Sequence, residues 1–139
     1  MKSSKINMHY KGYKDLECYK KARELRIYVS DLAKKFPSHE KFLLTAQVID
    51  SPRSITRNIA EVYGRFTYSD TKNFFVLSRG SVTETMESLA TAFDEKYITE
   101  DELKMGEEKC EHVFKLINGY IAYLESFRQI KKTESNPNS

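Results

Sequence analysis

The sequence is poor in the residues that interrupt regular structure and in those that cross-link a small domain. Its five glycines and three prolines are too few for an all-β domain with frequent hairpins. Cys18 and Cys110 are the only cysteines and have no CxxC partner, which argues against a zinc site and a disulfide framework. Because no apolar run approaches the length of a membrane span or a signal-peptide core, we expect a cytoplasmic protein with no membrane partner.

The residues that are abundant favour helices and an uneven surface charge. Hydrophobic residues make up 40% and charged residues 31% of the 139 residues, a balance that can support a single core. Residues 1–65 carry fourteen Lys and Arg against seven Asp and Glu, a net +7, whereas residues 66–139 carry nine against thirteen, a net −4. This asymmetry is compatible with an anionic partner on one side, with complementary faces in an oligomer, or with scattered solvated charges.

Apolar residues that recur three and four positions apart predict the first two helices. Asp15 is the expected N-cap of the first helix, Pro37 ends it, and Ser38 is expected to cap the second. The apolar stripe of the second helix is expected to begin at Phe42. Because Pro52 removes one backbone hydrogen bond and clashes with the preceding turn, the second helix is expected to be kinked or broken near Pro52.

The same spacing predicts a third and a fourth helix, after a second helix that ends near Gly64 in the left-handed conformation. Ser69 or Asp70 is the expected N-cap of the third helix, and Gly80 lies at its middle beside serines. A mid-helix glycine costs about 1 kcal/mol relative to alanine, so we expect another backbone to approach closely there. Thr99–Glu102 matches a capping box at the start of the fourth helix.

Four amphipathic helices joined by short links predict the architecture. Each link is too short for a long crossover, so neighbouring helices must run antiparallel. The predicted fold is all-α, an up-down antiparallel four-helix bundle over residues 13–128. We expect the bundle to lie between a flexible N-terminal segment, residues 1–12, and a disordered C-terminal tail, residues 129–139.

Three short motifs together resemble one known family. They are YKDLECYKKARELRIYV from Tyr13, NIAE at Asn58–Glu61 with the following Gly64–Arg65, and GS at Gly80–Ser81 with Glu84. They resemble the proteins encoded in intervening sequences of bacterial 23S ribosomal RNA genes. Those proteins typically read F-K-D-L-x-V-W-x-K-A, N-I-A-E-G-x-G-R and G-S-x-x-E-L at the corresponding places. The resemblance spans roughly residues 12–127.

The chain departs from the family pattern at three places in the second helix. Ile49–Asp50 stands where the family has a basic pair, Thr56 where it has a proline, and Val62 where it has a glycine. In this chain the proline comes four residues earlier, at Pro52. A role of the family's basic pair therefore does not transfer to this chain.

The resemblance implies a compact left-handed bundle that forms a homo-oligomer, expected to be a pentamer, with no enzymatic activity. A related branch comprises the accessory bundle proteins of diversity-generating retroelements, which bind a reverse transcriptase and its template RNA through a basic surface. The partners that the resemblance implies are therefore copies of the same chain, RNA and a reverse transcriptase-like protein.

Charged residues recur every four positions at the end of the second helix and share one face: Arg53, Arg57, Glu61 and Arg65. One interpretation is a ladder of ion pairs, in which Glu61 pairs with the arginines beside it. The other is a contact surface for phosphate or a neighbouring subunit, because guanidinium forks match phosphate oxygens. The amide of Asn58 is expected to bond the backbone near the proline or to link to the next helix.

The first helix adds a second basic group: Lys20, Lys21, Arg23 and Arg26. Several such charges on one side bind phosphate by releasing counterions, and the interleaved tyrosines can stack on unpaired bases. The alternative interpretation is that the lysines are solvated and the tyrosines fill the rim of the core or an interface. Together with the arginines of the second helix, these residues are the candidate surface for nucleic acid or a protein partner.

The sequence carries no motif of catalysis or cofactor binding. No Ser-His-acid order, P-loop or GxGxxG is found, and both cysteines fall on apolar stripes. The leading hypothesis is a non-enzymatic oligomeric scaffold without a cofactor, which binds RNA or a nucleic-acid-processing protein through its basic surface. The alternative is a small intracellular enzyme or metal-dependent regulator that uses the bundle interior, with Glu108 and His112 as candidate groups.

Overall fold

The computed structural model describes residues 12–64 and 68–135, with no side chain described at 63, 68 or 127–135. These residues form four α-helices: α1 (Glu17–Ala33), α2 (Leu44–Glu61), α3 (Tyr68–Asp94) and α4 (Glu100–Ser135). Residues 1–11 of the predicted N-terminal segment and 136–139 of the predicted tail lie outside the described residues. Within the predicted tail, α4 keeps the backbone helical over residues 129–135.

The four helices alternate in direction. α1 packs on α2 and α4, and α3 packs on the same two helices. Between α2 and α3, Ser51 meets Thr85, whereas Ile55, further along α2, meets Ser78, which is earlier in α3. The same opposite order relates α3 to α4 and α1 to α4. This arrangement confirms the predicted all-α, up-down antiparallel four-helix bundle.

Apolar side chains from all four helices fill the space between them. The fully buried core includes Leu25, Val29, Ile55, Ile59, Phe75, Leu89, Val113 and Ile117. Each such side chain stabilises the fold by roughly 1.5–3 kcal/mol through leaving water. Cys18 and Cys110 are buried in this core as free thiols, as predicted. Burial raises the pKa of each thiol to about 12, so both stay protonated near neutral pH.

α2 runs through Pro52 without a break. Pro52 is buried, and Val48 and Ile55 on either side of it are fully buried. A proline costs about 3 kcal/mol inside a helix, and burying these two side chains in one core offsets a cost of that size. Of the two outcomes expected from the sequence, the break is therefore wrong.

The start of α2 lies later in the chain than predicted. Ser38 does not cap the helix, because it begins a 3₁₀ turn that ends at Glu40. The helix starts at Leu44, whose backbone N–H donates to Glu40 Oε1 at 3.2 Å. Phe42 consequently lies in the connection and is 83% exposed, so its predicted place on the core stripe is also wrong.

The predicted caps of α1 and α3 are wrong by one or two residues. Leu16 rather than Asp15 occupies the N-cap position of α1, and it makes no capping hydrogen bond through its side chain. Asp15 instead ends a 3₁₀ turn that precedes the helix. Ser69 and Asp70 lie inside the first turn of α3, which begins at Tyr68.

The connection between α3 and α4 has the predicted capping box. Thr99 Oγ1 accepts from the backbone N–H of Glu102 at 3.1 Å, and Glu102 Oε1 accepts from the N–H of Thr99 at 2.9 Å. Lys96, with φ of 67°, provides the left-handed residue after α3, and the N–H of Tyr97 returns to the carbonyl of Ala92 at 2.9 Å. Both helix ends at this connection are therefore satisfied by local hydrogen bonds.

Hydroxyl groups line the contact between α2 and α3. We call this contact the hydroxyl seam and define it by Ser51, Ser54, Ser78, Ser81 and Thr85. Ser78 Oγ donates to the carbonyl of Ile55 at 2.6 Å, Ser81 Oγ donates to Ser54 Oγ at 2.8 Å, and Thr85 Oγ1 lies 2.9 Å from Ser51 Oγ and from the Ser81 carbonyl. Each seam hydroxyl thus has a partner between or within the two helices.

Gly80 lies beside this seam but does not belong to it. It is exposed, and a Cβ added to it would have no heavy atom within 4 Å, so the close approach predicted there is wrong. The close approach occurs instead at Gly106 of α4, where an added Cβ would lie 2.7 Å from Leu89 Cδ1. Ser78 and Ser81, on either side of Gly80, are the small residues of this patch that pack against α2.

Candidate nucleic-acid interface

The outer side of α1 and α2 carries most of the basic residues that the sequence analysis selected. We call this surface the basic face and define it by Lys20, Arg23, Arg26, Arg53 and Arg57. Arg26 and Arg53 line the same groove between the two helices. Arg23 and Lys20 precede Arg26 at helical spacing and Arg57 follows Arg53 by one turn, so the set extends along the groove. All of these side chains are exposed except Arg26, which is half-buried.

Arg26 is held in place by a short chain of hydrogen bonds. Its Nη1 donates to Thr56 Oγ1 at 2.9 Å, and Thr56 Oγ1 donates to the carbonyl of Arg53 at 3.1 Å. Thr56 is only 4% exposed, so the hydroxyl that fixes the guanidinium lies beneath the surface. The resembling family has a proline at this position, which lacks a hydroxyl, and the contact therefore depends on this chain's own departure from that pattern.

A small niche opens between α1 and α2 beside the held guanidinium. Its volume is about 170 Å³, and it is lined by Arg26, Ile27, Ser30, Asp31, Ile49 and Arg53. A wider groove continues from Ile49 and Arg53 toward Lys41 at the start of α2. The one carboxylate in the niche, on Asp31, pairs with Lys34 at 3.1 Å on the exposed side of α1. The niche therefore combines guanidinium groups, isoleucine side chains and one compensated acid.

The arginines of the basic face have no acidic partner among the described side chains. The ion pairs in which both side chains are described all use lysine: Lys21 with Glu24, Lys34 with Asp31, Lys35 with Glu102, Lys72 with Glu125, and Lys104 with Glu100. Arg23, Arg26, Arg53 and Arg57 form none, within residues 12–64 and 68–135. The four arginines of the basic face therefore carry charges that no described carboxylate balances.

Of the residues that the sequence analysis grouped with this surface, Lys21 does not join it and Arg65 cannot be placed on it. Lys21 lies one residue beyond Lys20, two helical turns before Tyr28, whose hydroxyl donates to the carbonyl of Glu102 in α4. Lys21 therefore faces the α4 side of α1, where it pairs with Glu24 at 3.5 Å. Arg65 lies outside the described residues.

Of the ion pairs expected along α2, the one between Arg57 and Glu61 is not formed. Arg57 makes no ion pair with Glu61, although the two are one helical turn apart and both are exposed. Asn58 bonds within its own helix, since its Nδ2 donates to the Ser54 carbonyl at 2.9 Å. Gly64 ends the 3₁₀ turn after α2 without the left-handed φ that the sequence predicted.

The bundle interior offers no site for metal chemistry in the described part of the chain. No group of three His, Cys, Asp or Glu residues there is arranged to hold a metal ion. Glu108 and His112 are both exposed on α4, so the alternative that placed them in the bundle interior is wrong about their location. None of the described helices has the length and apolarity of a membrane span.

Thr56 is the residue of this surface to which sequence reasoning assigned no role. Its only sequence signal is its position next to Ile55 on the inner side of α2, where a threonine must find a hydrogen-bond partner. That partner comes from α1, and no spacing within α2 reveals it. Tertiary packing alone brings Arg26 and Thr56 together.

This chain is similar to known proteins in fold and in sequence. A crystal structure of a protein of unknown function from the S23 ribosomal protein family of Bacteroides thetaiotaomicron superposes with a TM-score of 0.71 at 24% identity. The alignment covers 78% of this chain and 98% of that one, and it establishes the likeness of fold. Among curated proteins, no sequence matches this chain. The family model described as 23S rRNA-intervening sequence protein matches residues 14–119, and the chain belongs to that family.

Proposed function

We propose that this protein is a non-enzymatic scaffold that assembles with copies of itself and binds RNA through the basic face. The observation that carries the proposal is that Arg23, Arg26, Arg53 and Arg57 lack carboxylate partners among the described side chains. A phosphate backbone supplies the missing negative charges at regular intervals, and each contact gains free energy by releasing condensed counterions. Arginine suits this role because its planar fork matches two phosphate oxygens.

The geometry of the basic face favours a polyanion over a single acidic residue. Arg26 and Arg53 line a groove between two antiparallel helices, and the other cations follow at helical spacing along the same two helices. A polymer with evenly spaced charges can contact several of them at once, whereas one carboxylate can contact only one or two. The family's relation to ribosomal RNA genes supports RNA as the polymer. A reverse transcriptase-like protein, as in retroelement accessory bundles, is the protein alternative that the experiment below distinguishes.

Exposed apolar side chains support the assembly part of the proposal. Phe42 is 83% exposed and Leu43 is 61% exposed in the connection between α1 and α2. Two adjacent large apolar side chains in water are unfavourable, and covering them with a second copy would recover roughly 1.5–3 kcal/mol for each. We expect a homo-oligomer, and a pentamer follows from the family resemblance.

The decisive experiment is a titration of an unstructured RNA oligomer at about 50 and 200 mM salt, with the mass measured by light scattering in the same buffers. We expect an oligomer whose affinity falls steeply with salt. The variant Arg23→Gln/Arg57→Gln should flatten the salt dependence by about one unit or more in log–log slope. The matched control, Lys104→Gln/Lys115→Gln, removes the same number of charges from α4 and should leave the slope unchanged.

Each contrary result removes a defined part of the proposal. Equal losses in the two double variants would mean that net charge, rather than the basic face, attracts RNA. Binding that is absent or insensitive to salt would remove RNA as the partner and make a protein partner the next target. A monomer at tens of micromolar would remove self-assembly, whatever the RNA titration gives.

A further inference from the structure

We propose that the niche between α1 and α2 binds one phosphodiester group, with the guanidinium groups of Arg26 and Arg53 as its anion ligands. This inference rests on the proposed RNA binding and deepens it, because it assigns one backbone phosphate to a fixed position. Sites for drug-sized ligands have volumes of about 300–1,000 Å³. At about 170 Å³, the niche lies below this range and has room for a phosphodiester linkage with its adjoining carbons, and the wider groove beside it leaves space for more of the strand.

Arg26 is prepared for this role by the bond that holds it. Thr56 Oγ1 accepts a hydrogen bond from one N–H of the guanidinium, and its own hydroxyl donates a hydrogen bond to the carbonyl of Arg53. A guanidinium has five N–H donors, so the others remain for an anion. A side chain that is already ordered loses less conformational entropy when it binds, which strengthens a contact without adding a charge. The half-burial of Arg26 also reduces the competition from water.

The charges that line the niche favour an anion. Arg26 and Arg53 contribute two positive charges, and the charge of Asp31, the one carboxylate of the lining, is balanced by Lys34. The carboxylate of Asp31 is engaged by Lys34, which draws it toward the exposed side of α1.

The apolar part of the lining favours a phosphodiester. Ile27 is 43% exposed and Ile49 is partly buried, and both lie at the wall of the niche. The carbon atoms on either side of a phosphodiester can cover these side chains, and an inorganic anion cannot. The chemistry of the niche is therefore that of an ester of phosphate, with a charged centre and apolar flanks.

One charge-preserving substitution tests the niche against general attraction of RNA. Thr56→Val keeps the shape and every charge but removes the hydroxyl that holds Arg26. We expect RNA affinity about tenfold weaker, with a log–log salt slope close to that of the unaltered protein because no charge is removed. The matched control, Thr83→Val, alters an exposed threonine of α3 and should bind RNA like the unaltered protein.

Arg26→Lys provides a second charge-preserving variant in case Thr56→Val unfolds, which thermal melting would reveal. Lysine keeps the positive charge but loses the fork, so the same loss is expected. If both folded variants bind RNA with unaltered affinity, the niche is overturned while RNA binding by the basic face stands.

A small probe separates the niche from the proposed function altogether. We would add dimethyl phosphate, a phosphodiester without a nucleotide, to the full chain labelled with ¹⁵N and follow the Nε–H signal of Arg26. We expect a saturable shift, which inorganic phosphate produces only weakly and which Thr56→Val abolishes. An unmoved Arg26 signal, or an equal response to inorganic phosphate, would overturn the niche even if RNA binds. A shift in a protein that fails to bind RNA would instead retain the niche and remove the proposed function.

Discussion

The polar groups on the two long sides of α2 differ in whether other residues of the chain pair with them. On the α3 side, the hydroxyl seam pairs its groups within the chain, as where Ser78 donates to the Ile55 carbonyl at 2.6 Å. On the α1 side, the basic face leaves Arg53 and Arg57 without a carboxylate among the described side chains. Polar groups that satisfy one another hold two helices in register, whereas charges that the chain itself does not compensate are available to a partner.

The largest expected effect comes from removing hydroxyl groups of the seam. The double variant Ser78→Ala/Thr85→Val deletes two buried donors and removes their hydrogen bonds to Ile55 and Ser51 across the two helices. We expect the free energy of unfolding to fall by about 2–4 kcal/mol, measured by urea denaturation. The control, Thr91→Val, removes an exposed hydroxyl bond in the same helix and should change it by less than about 0.5 kcal/mol. Equal effects would mean that the seam does not stabilise the helix pair.

A second test uses two glycines that differ in their surroundings. Gly80 is exposed with open space around it, so Gly80→Ala should raise the free energy of unfolding by about 1 kcal/mol through helix propensity. Gly106→Ala adds a Cβ 2.7 Å from Leu89 Cδ1, and we expect overpacking of about 1–3 kcal/mol to exceed the propensity gain. Thermal melting of both variants checks the opposite signs. A destabilising Gly80→Ala would indicate that a second copy covers this part of α3.

A third test concerns a charge that is paired within the chain, between α1 and α4. The hydrogen bond from Lys35, with that from the Thr99 backbone, holds the pKa of Glu102 below its ordinary value of 4.5. A lowered pKa in the folded state means that this contribution is complete above the unfolded-state pKa and is lost as pH falls through the folded-state pKa. Glu102→Gln should therefore lower stability by about 0.5–1 kcal/mol at pH 7.

The pH dependence of this stability difference shows whether the charge of Glu102 is its cause. The difference between the unaltered protein and Glu102→Gln should shrink progressively below pH 4.5, where the carboxylate becomes protonated first in the unfolded chain. Urea denaturation at pH 7 and at successively lower pH values would measure it. A difference that stays constant with pH would assign the effect to the capping geometry rather than to the charge of Glu102.

The smallest stability effect is expected on the basic face itself. Arg23→Gln/Arg57→Gln removes exposed side chains without described ion pairs, so the free energy of unfolding should change by no more than about 0.5 kcal/mol. The same variant is the one expected to lose RNA affinity, which would separate binding from folding. A loss of 2 kcal/mol or more would show that these arginines stabilise the bundle and would place them with the seam.

Several features of the fold could be predicted because they depend on local rules. The three-four spacing of apolar residues predicted all four helices, and Thr99 with Glu102 predicted the capping box, because its partners are three residues apart. Of the kink or break expected at Pro52, the break does not occur, since the rule for proline describes an isolated helix and omits the burial of Val48 and Ile55. Phe42 was assigned to a helix for a similar reason, because periodicity alone does not tell where the turn after Ser38 ends.

Some features of the candidate site could likewise be predicted from the sequence, and others depended on how the helices pack. The excess of basic residues in the first half of the chain is readable by counting, and the likeness to the ribosomal RNA intervening-sequence family is readable from three short motifs. Which cations share a surface was decided by the packing of α1 on α2, which separates Lys21 from Lys20 and joins Arg26 to Thr56. Sequence alone determined the helices and their amphipathic faces, because those depend on residues within one or two turns. Only the tertiary structure decided which charges are paired between helices, because such a pair joins residues tens of positions apart.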